Sequence, residues 1–545
     1  MRILVFLLLF LSLVSSGMIR AQAQSLLPYA RYGLTDRQAA AFLLDRFAFG
    51  ARPGEVEMVV AKGVSNWWEE QLTGTLPEER LAAELASLPA LGLSARQMAY
   101  AYPNAGTVWM EARQDGYIPA GSLPEAQTNR KLEQYRQAKG YGSQNDLVAQ
   151  LYKQKIARAI YSENQLVEVL TDFWFNQFNV SVTDSRALPY ILSYERDAIR
   201  PHLFGKYSEL LKATAKHPAM LYYLDNASSF DDGAALPQGG LNENYARALL
   251  ELHTLGAANR YKPQDVTGVA RVFTGWTVLP RGQAGERLAA RITRDETGDA
   301  LGSHGFLFLS GLHDAKEKAV LGAAILPGGM AEGENLLVAL ARRKDTADNI
   351  ARKLAVRFIA DKPPSGAVKR LSGIYLRTDG DLRALLQGIV NSPEFWQQAG
   401  LRQKVKPPAA YIISAVRSLD ATVTDYRSLT RWMARLGQPW YACITPAGYS
   451  DKGTDWLNSG ALLQRMNFAF ALARGQIPGV NWSADPWGDT LQRYAGAGLS
   501  PIAARMLPER KYDGFASLAT EYPQPVLTIR DAAGLVLASP EFQRY

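Results

Sequence analysis

The chain has 545 residues, a formal charge of +8, a single cysteine, 11 tryptophans and 25 tyrosines. Its length exceeds one ordinary core and suggests two to four units, some fused into one helical body. A lone Cys443 excludes an internal disulfide and a thiolate zinc cluster, and a mild basic surplus without a dense Lys/Arg run argues against nucleic acid as a partner.

Residues 1–23 read as a secretory signal peptide, with Arg2, an apolar run from Ile3 to Val14, and Ala21-Gln22-Ala23 as a small-residue cleavage site. Cleavage near Ala23 implies an exported protein, periplasmic or extracellular. The run is too short for a comfortable bilayer span, and no later stretch approaches about 20 apolar residues, so no stable membrane span is expected.

Helical periodicity dominates from there. Thr35 to Phe47 starts on cap residues, carries Ala39, Phe42, Leu43 and Phe47 on one face, and stops before Gly50 and Pro53. Pro53–Lys62 and Val64–Leu72 follow as short helices. Between Gln114 and Asp146 glycines bracket a charged stretch, which reads as a solvated insertion with one helix. Ser162 to Gln165 has capping-box spacing and opens a helix with Leu166, Val169, Leu170 and Phe173 on its apolar face.

From Trp276 to Leu309 the pattern shortens. Thr277-Val278-Leu279, Ala289 to Ile292 and Phe306 to Leu309 are strand candidates. Helices resume at Asn335–Arg342, Thr346–Phe358, Ser365–Thr378 and Asp379–Val390, and Pro407-Pro408 marks a joint. The expected fold class is mainly α, a large multi-helix body with a small β-hairpin or sheet around residues 276–310. The domain plan is a main helical domain over 24–400, with its insertion near 114–146, and a C-terminal helical section over 401–545 packed on it.

Two polar stripes stand out. Glu168, Asp172 and Asn176 recur every four residues, with Asn179 beyond, and Glu243, Arg247 and Glu251 recur the same way in the segment that begins at Asn242. They read either as solvated ion-pair ladders or as two faces of an interior cleft in which a carboxylate acts as base. Trp174, Phe175 and Phe178 beside the first stripe favour the interior. Histidine is scarce. His217 sits at a helix boundary, His253 lies one turn beyond Leu249, and His313-Asp314 falls in a loop ahead of Lys318. Each has a plain structural reading as well, and the spacing of a zinc HExxH site is absent.

The motifs Leu43-Leu44-Asp45-Arg46 to Phe49-Gly50, Asp172-Phe173-Trp174, His217-Pro218-Ala219-Met220 to Tyr223-Leu224-Asp225-Asn226, Asn242 to Gly256, Thr274-Gly275-Trp276, His313-Asp314 with Lys318 and Leu321-Gly322, and Lys404-Val405-Lys406 span nearly the whole chain. In them the chain resembles the bacterial exported family catalogued as domain of unknown function 1800. The resemblance implies export, a mainly helical fold and an exported sulfatase- or phosphatase-like partner, with no established reaction. The family commonly carries histidines where this chain has Phe175 and Gln177, and an acid where it has Ala248, so a metal site held by those histidines would be lost or altered here.

Two functional expectations follow. One is a hydrolase- or lyase-like enzyme on an anionic or polyhydroxyl substrate, with Asp172, Glu243, Arg247, Glu251, His253, His313 and Asp314 as catalytic candidates and Asn176, Asn179, His217, Asp225, Asn242 and Lys318 as substrate-binding ones. The other is a non-catalytic accessory or binding protein for an exported partner. Cofactor and metal stay open: the carboxylates with His253, His217 and His313 are of the residue types that make a hard-metal or zinc site.

Overall fold

The computed structural model describes residues 26–119, 124–231, 240–256, 260–293, 298–483, 500–510 and 528–545. The expected signal segment lies outside them. The fold is mainly α with small sheets of two or three strands. No helix among the described residues is long and apolar enough to cross a membrane.

The first helix, α1 (Asp36–Phe47), starts on a capping box between Thr35 and Gln38 and buries every residue from Ala39 to Phe47, including Asp45 and Arg46. It packs among Trp68, Phe358 and Phe395, whose ring centroids lie 4.7 to 5.5 Å from that of Phe47. The central pair is α2 (Gln144–Tyr161) and α3 (Gln165–Gln177). The boundary between them differs from the expected capping box. Asn164 is the N-cap of α3, Ser162 Oγ accepts from the Asn164 amide at 3.0 Å, and Gln165 Nε2 donates back to the Ser162 carbonyl at 2.8 Å. Ser162 therefore closes α2 rather than opening α3.

Next come α4 (Tyr207–Lys216) and α5 (Pro218–Tyr223), hinged at His217, whose Nδ1 accepts the Ala219 amide. The Asn242 segment forms a short helix, α6 (Asn244–Ala248), that widens into a π-turn over Leu249–His253. A second π-turn covers Tyr194–Ile199. After α7 (Pro263–Val272) the chain builds a three-stranded antiparallel sheet from β1 (Trp276–Val278), β2 (Ala300–Leu301) and β3 (Phe306–Phe308), with β3 central and Trp276 opposite Phe308. The strand expected at Ala289–Ile292 is instead the end of a helix, Gly282–Ile292. Alanine-rich sequence with no buried partner face gives strand pairing nothing to gain there. A hairpin of β4 (Lys318–Val320) and β5 (Ala323–Ile325), not expected from the pattern, follows.

The helices resume as expected with α8 (Met330–Ala341) and α9 (Lys344–Phe358). Past the prolines lie α10 (Pro408–Ser418), a short helix over Tyr426–Arg435, an irregular strap, Gly437–Gly453, then α11 (Ser459–Ala473) and α12 (Ile529–Ala538). One buried apolar cluster takes in residues from Leu27 to Tyr545, so segments on both sides of Pro407 contribute to the same core. The insertion has a small cluster of its own. Val108, Ala112, Ile118 and Tyr135 pack helix Ala105–Gln114 against helix Glu125–Lys139.

Candidate functional site

The C-terminal half of α3 presents Asp172, Phe173, Phe175 and Asn176 to an interior cavity closed by α9 and the strap. Lys155 of α2, Arg357 of α9, and Trp440, Tyr441, Tyr449 and Asp451 of the strap complete the lining. Its free volume is about 30 Å³, room for a water molecule or two.

Asp172 is the least restrained acid in this wall. Its carboxylate is 20% exposed, and its ion-pair neighbour, Arg357 Nη2, stands 3.8 Å away, beyond hydrogen-bonding distance. Asp451 is held differently. Gln177 Nε2 donates to Asp451 Oδ2 at 2.9 Å, and Lys353 Nζ donates to Gln177 Oε1 at 2.6 Å. Burial pushes the Asp451 carboxyl above its ordinary range against the pull of Arg357 and Lys404, and the charge of Asp172 adds to the rise. Burial likewise pushes Lys353 and Lys404 down to about 8, with Asp451 and Asp361 respectively opposing the fall. Lys404 Nζ bonds both Asp361 Oδ1 and the Asp451 carbonyl at 2.6 Å.

The opposite wall is a satisfied ionic network. Glu195, on the Tyr194–Ile199 π-turn, accepts from Lys155 at 3.1 Å, Arg200 at 3.0 Å and the Tyr441 hydroxyl at 2.7 Å. Burial raises its pKa, but Lys155 and Arg200 outweigh burial and hold it well below the usual carboxylate range. Arg200 also forks onto Glu168 at 2.9 and 2.7 Å. The Lys155 ammonium sits 5.7 to 5.9 Å from the ring centres of Phe175, Trp440 and Tyr441. Tyr441 holds a left-handed backbone (φ 60°), the kind of strain that packing must over-determine.

The structure brings together only part of the expected constellation. Asp172, Asn176 and Asn179 line the cavity. Asn176 is a clamp: its Nδ2 donates to the Tyr449 carbonyl at 2.8 Å and its Oδ1 accepts the Tyr449 amide at 2.7 Å. Asn179 bonds the Cys443 and Thr445 carbonyls, both at 2.9 Å. These two asparagines fix the strap. Glu243, Arg247 and Glu251 do not face Asp172. Arg247 pairs with Glu243 at 3.2 Å on an exposed face, Glu243 also accepts from Thr267, and Glu251 accepts from Tyr261. Arg247 and Glu251 instead line an open groove of about 460 Å³ whose far wall is Ile444 to Ala447 of the strap. Asn242 turns the chain into α6 by accepting the Asn244 amide, and Asp225 pairs with Arg186 at 2.8 Å.

The histidines are scattered and enclosed. His253 stacks on Phe178 at 4.7 Å, and burial together with Lys353 holds it neutral, down to about 3. His217 is buried with Nε2 unpartnered, and burial and His304 keep its pKa well below the ordinary value. His313 and Lys318 form a separate buried group with Glu332. His313 Nε2 lies 3.1 Å from Glu332 Oε1, and Lys318 Nζ lies 2.6 Å from Oε2. Asp314 takes Arg271 at 2.6 Å. Among the described residues no group of three or more His, Cys, Asp or Glu side chains converges as a metal site requires.

Sequence reasoning missed Lys155, Glu195, Arg357, Asp451 and Glu332. Among the buried cations, Lys318 is a candidate from the sequence, and Lys404, Lys406 and Arg46 carry a signal through their motifs. The missed residues sit in unremarkable helical or strap sequence and acquire their role from other segments of the chain.

Fold and site together define a mainly helical protein with an interior polar cavity beneath a clamped strap. Residues 42–544 match the family model described as protein of unknown function (DUF1800), and the chain belongs to that family. Comparison with curated proteins and with solved structures found no match.

Proposed function

We propose that the chain is an exported hydrolase- or lyase-like enzyme in which Asp172 is the general base and Asp451 the general acid. The observation that carries this is one cavity lined by two carboxyl groups in opposite surroundings. Asp172 is partly exposed and accepts no hydrogen bond among the described residues, whereas Asp451 is buried and pushed toward its protonated form. A buried acid pushed toward its protonated form beside a more exposed one can divide acid and base roles between them. Arg357 is placed to hold an anionic or hydroxyl group next to Asp172, and the cavity has room for the water that the base would deprotonate.

The test is a panel of glycosides, carboxylic esters, and sulfate and phosphate monoesters offered to the wild type, Asp172→Asn and Asp451→Asn. One substrate class should turn over, with either substitution slowing it by about 10²–10⁴-fold. Turnover that survives Asp172→Asn unchanged removes the base from the proposal.

A second reading, a non-catalytic accessory or binding protein for an exported sulfatase- or phosphatase-like partner, is favoured by the small free volume, which admits no sugar ring without movement of the strap. It predicts no turnover, co-purification with that partner, and a loss of stability in Asp172→Asn that the enzyme reading does not require.

A further inference from the structure

A second site stands out at the end of α1, where the charges do not balance. Asp45 is shared by two guanidinium groups from distant segments, Arg402 and Arg510, the latter at 2.6 Å. Lys406 also acts on it. Its neighbour Arg46 is 4% exposed, and none of its three guanidinium nitrogens has a hydrogen-bond partner. It rests only on rings, 5.2 Å from Phe42 and 5.4 Å from Tyr545. Burial pushes Arg46 and Arg510 down to about 10, with Asp45 opposing the fall for both, and drives Lys406 well below the ordinary lysine value. One buried carboxylate thus stands among four cations. Uncompensated buried charge costs several kcal/mol per ion by order of magnitude, so the region gains from another anion.

Two of these cations, Arg402 and Arg510, also line a cavity of about 360 Å³ together with Arg544, with Gln38, Glu509 and Glu541 in its rim; Asp45, Arg46 and Lys406 are not part of its lining. Glu509 is committed to Arg37 at 2.8 Å. Glu541 opposes the positive wall, but Arg544 is exposed and makes no ion pair among the described residues, leaving the three arginines in excess over Asp45 and Glu541. Arg402 holds a left-handed backbone, φ 39°, which turns its side chain back onto the pocket floor beside Asp45.

We propose that this pocket is a binding site for a small tetrahedral oxyanion, phosphate or sulfate, free or as the monoester of a small organic group. Arg544 presents an uncommitted planar guanidinium fork that matches such an ion, while Arg510, whose Nη1 donates to the Glu541 and Arg544 carbonyls and whose Nη2 donates to Asp45, contributes its charge to the wall, and the cavity extends beyond a bare oxyanion. The site is independent of the acid–base reading of the Asp172 cavity.

The test uses the full chain in calorimetric titration and thermal melts with inorganic phosphate, inorganic sulfate and glycerol 1-phosphate, against sodium chloride at matched ionic strength. The expected result is saturable binding that raises Tm, weakened about tenfold by loss of one charge-assisted contact in Arg544→Gln and unchanged in the exposed control Arg343→Gln. Because Arg544 supports no ion pair, Arg544→Gln should melt like the wild type without added anion. Tighter binding of glycerol 1-phosphate than of phosphate assigns the site to a monoester, and equal binding assigns it to the bare ion. A response no larger than that to chloride, or one identical in Arg544→Gln and the wild type, overturns the proposal.

Discussion

At the scale of single residues, the cavity is a place where burial and charge are set against each other, and the sign of each shift is measurable. Asp451 has its folded pKa raised above the unfolded value of about 3.9. The native state therefore binds more protons than the unfolded one in that window, and the stability tied to the protonated carboxyl is lost as pH rises through the folded pKa. Asp451→Asn keeps the acceptor for Gln177 and removes the ionisation. It should raise Tm at neutral pH and leave it unchanged near pH 3, which melts across that range will read directly. Lys353 and Lys404 run the other way. Their folded pKa of about 8 lies below the lysine value of about 10.4, so the unfolded chain binds more protons between those limits. Stability should climb from pH 8 to pH 10, and Lys353→Met should flatten the climb.

The buried His313, Lys318 and Glu332 group tests a different balance. Lys318→Met strands Glu332 in a site where burial raises its pKa and only Lys318, His313 and the Gly328 amide hold it down. Denaturant melts should show a loss of about 3–5 kcal/mol. Adding Glu332→Gln, which can still accept the Gly328 and Gly329 amides, should recover part of that loss. A double variant no better than Lys318→Met alone would argue that the lysine acts through packing rather than charge.

At the scale of elements, the strap from Gly437 to Gly453 is the part whose movement matters, because it forms one wall of the interior cavity and one wall of the open groove. Asn176 holds it through the Tyr449 backbone, and Gly448 fits only because it lacks a side chain: a Cβ there would lie 2.2 Å from the Asn176 carbonyl oxygen, at a φ of 73°. Gly448→Ala should destabilise by more than about 1 kcal/mol. Asn176→Ala should expose the strap to limited proteolysis before global unfolding; unchanged cleavage would show that Asn179 and Tyr223, whose hydroxyl donates to the Ile444 carbonyl at 2.6 Å, suffice as clamps.

This element also marks how far the sequence could be read. Regular helices such as α1, α8 and α9 announce themselves because 3.6-residue periodicity and caps are local properties. Asp172 and Asn176 were visible as a polar stripe among aromatics for the same reason. The pairing of that stripe with Glu243, Arg247 and Glu251 was not, since the π-turn after Ala248 and the exposure of that face are settled by packing. The true partners, Arg357 and Asp451, lie 185 and 279 residues further along, and no local pattern links them to α3. Ala289–Ile292 misled because a short apolar run fits either a strand or a helix end.

At the scale of the whole molecule, the segments before and after Pro407 share one core rather than meeting at a thin interface. Arg417 of α10 shows how tightly they are bound. It is fully buried, donates to the Gly50 carbonyl at 2.9 Å and the Ile160 carbonyl at 2.8 Å, and pairs with Glu55 at 3.0 Å. The Arg402 and Arg510 contacts to Asp45 of α1 add a second set of ties to the N-terminal segment. A chain of 545 residues ordinarily splits into domains that melt separately. Here the cross-links argue for coupled melting, so scanning calorimetry should record one main transition. Arg417→Met removes four hydrogen bonds and leaves Glu55 unpaired, at a cost of about 3–5 kcal/mol. It should split that transition by releasing the C-terminal segment first. Two transitions already present in the wild type, with Arg417→Met shifting only the lower one, would instead mean that the shared core does not couple the halves.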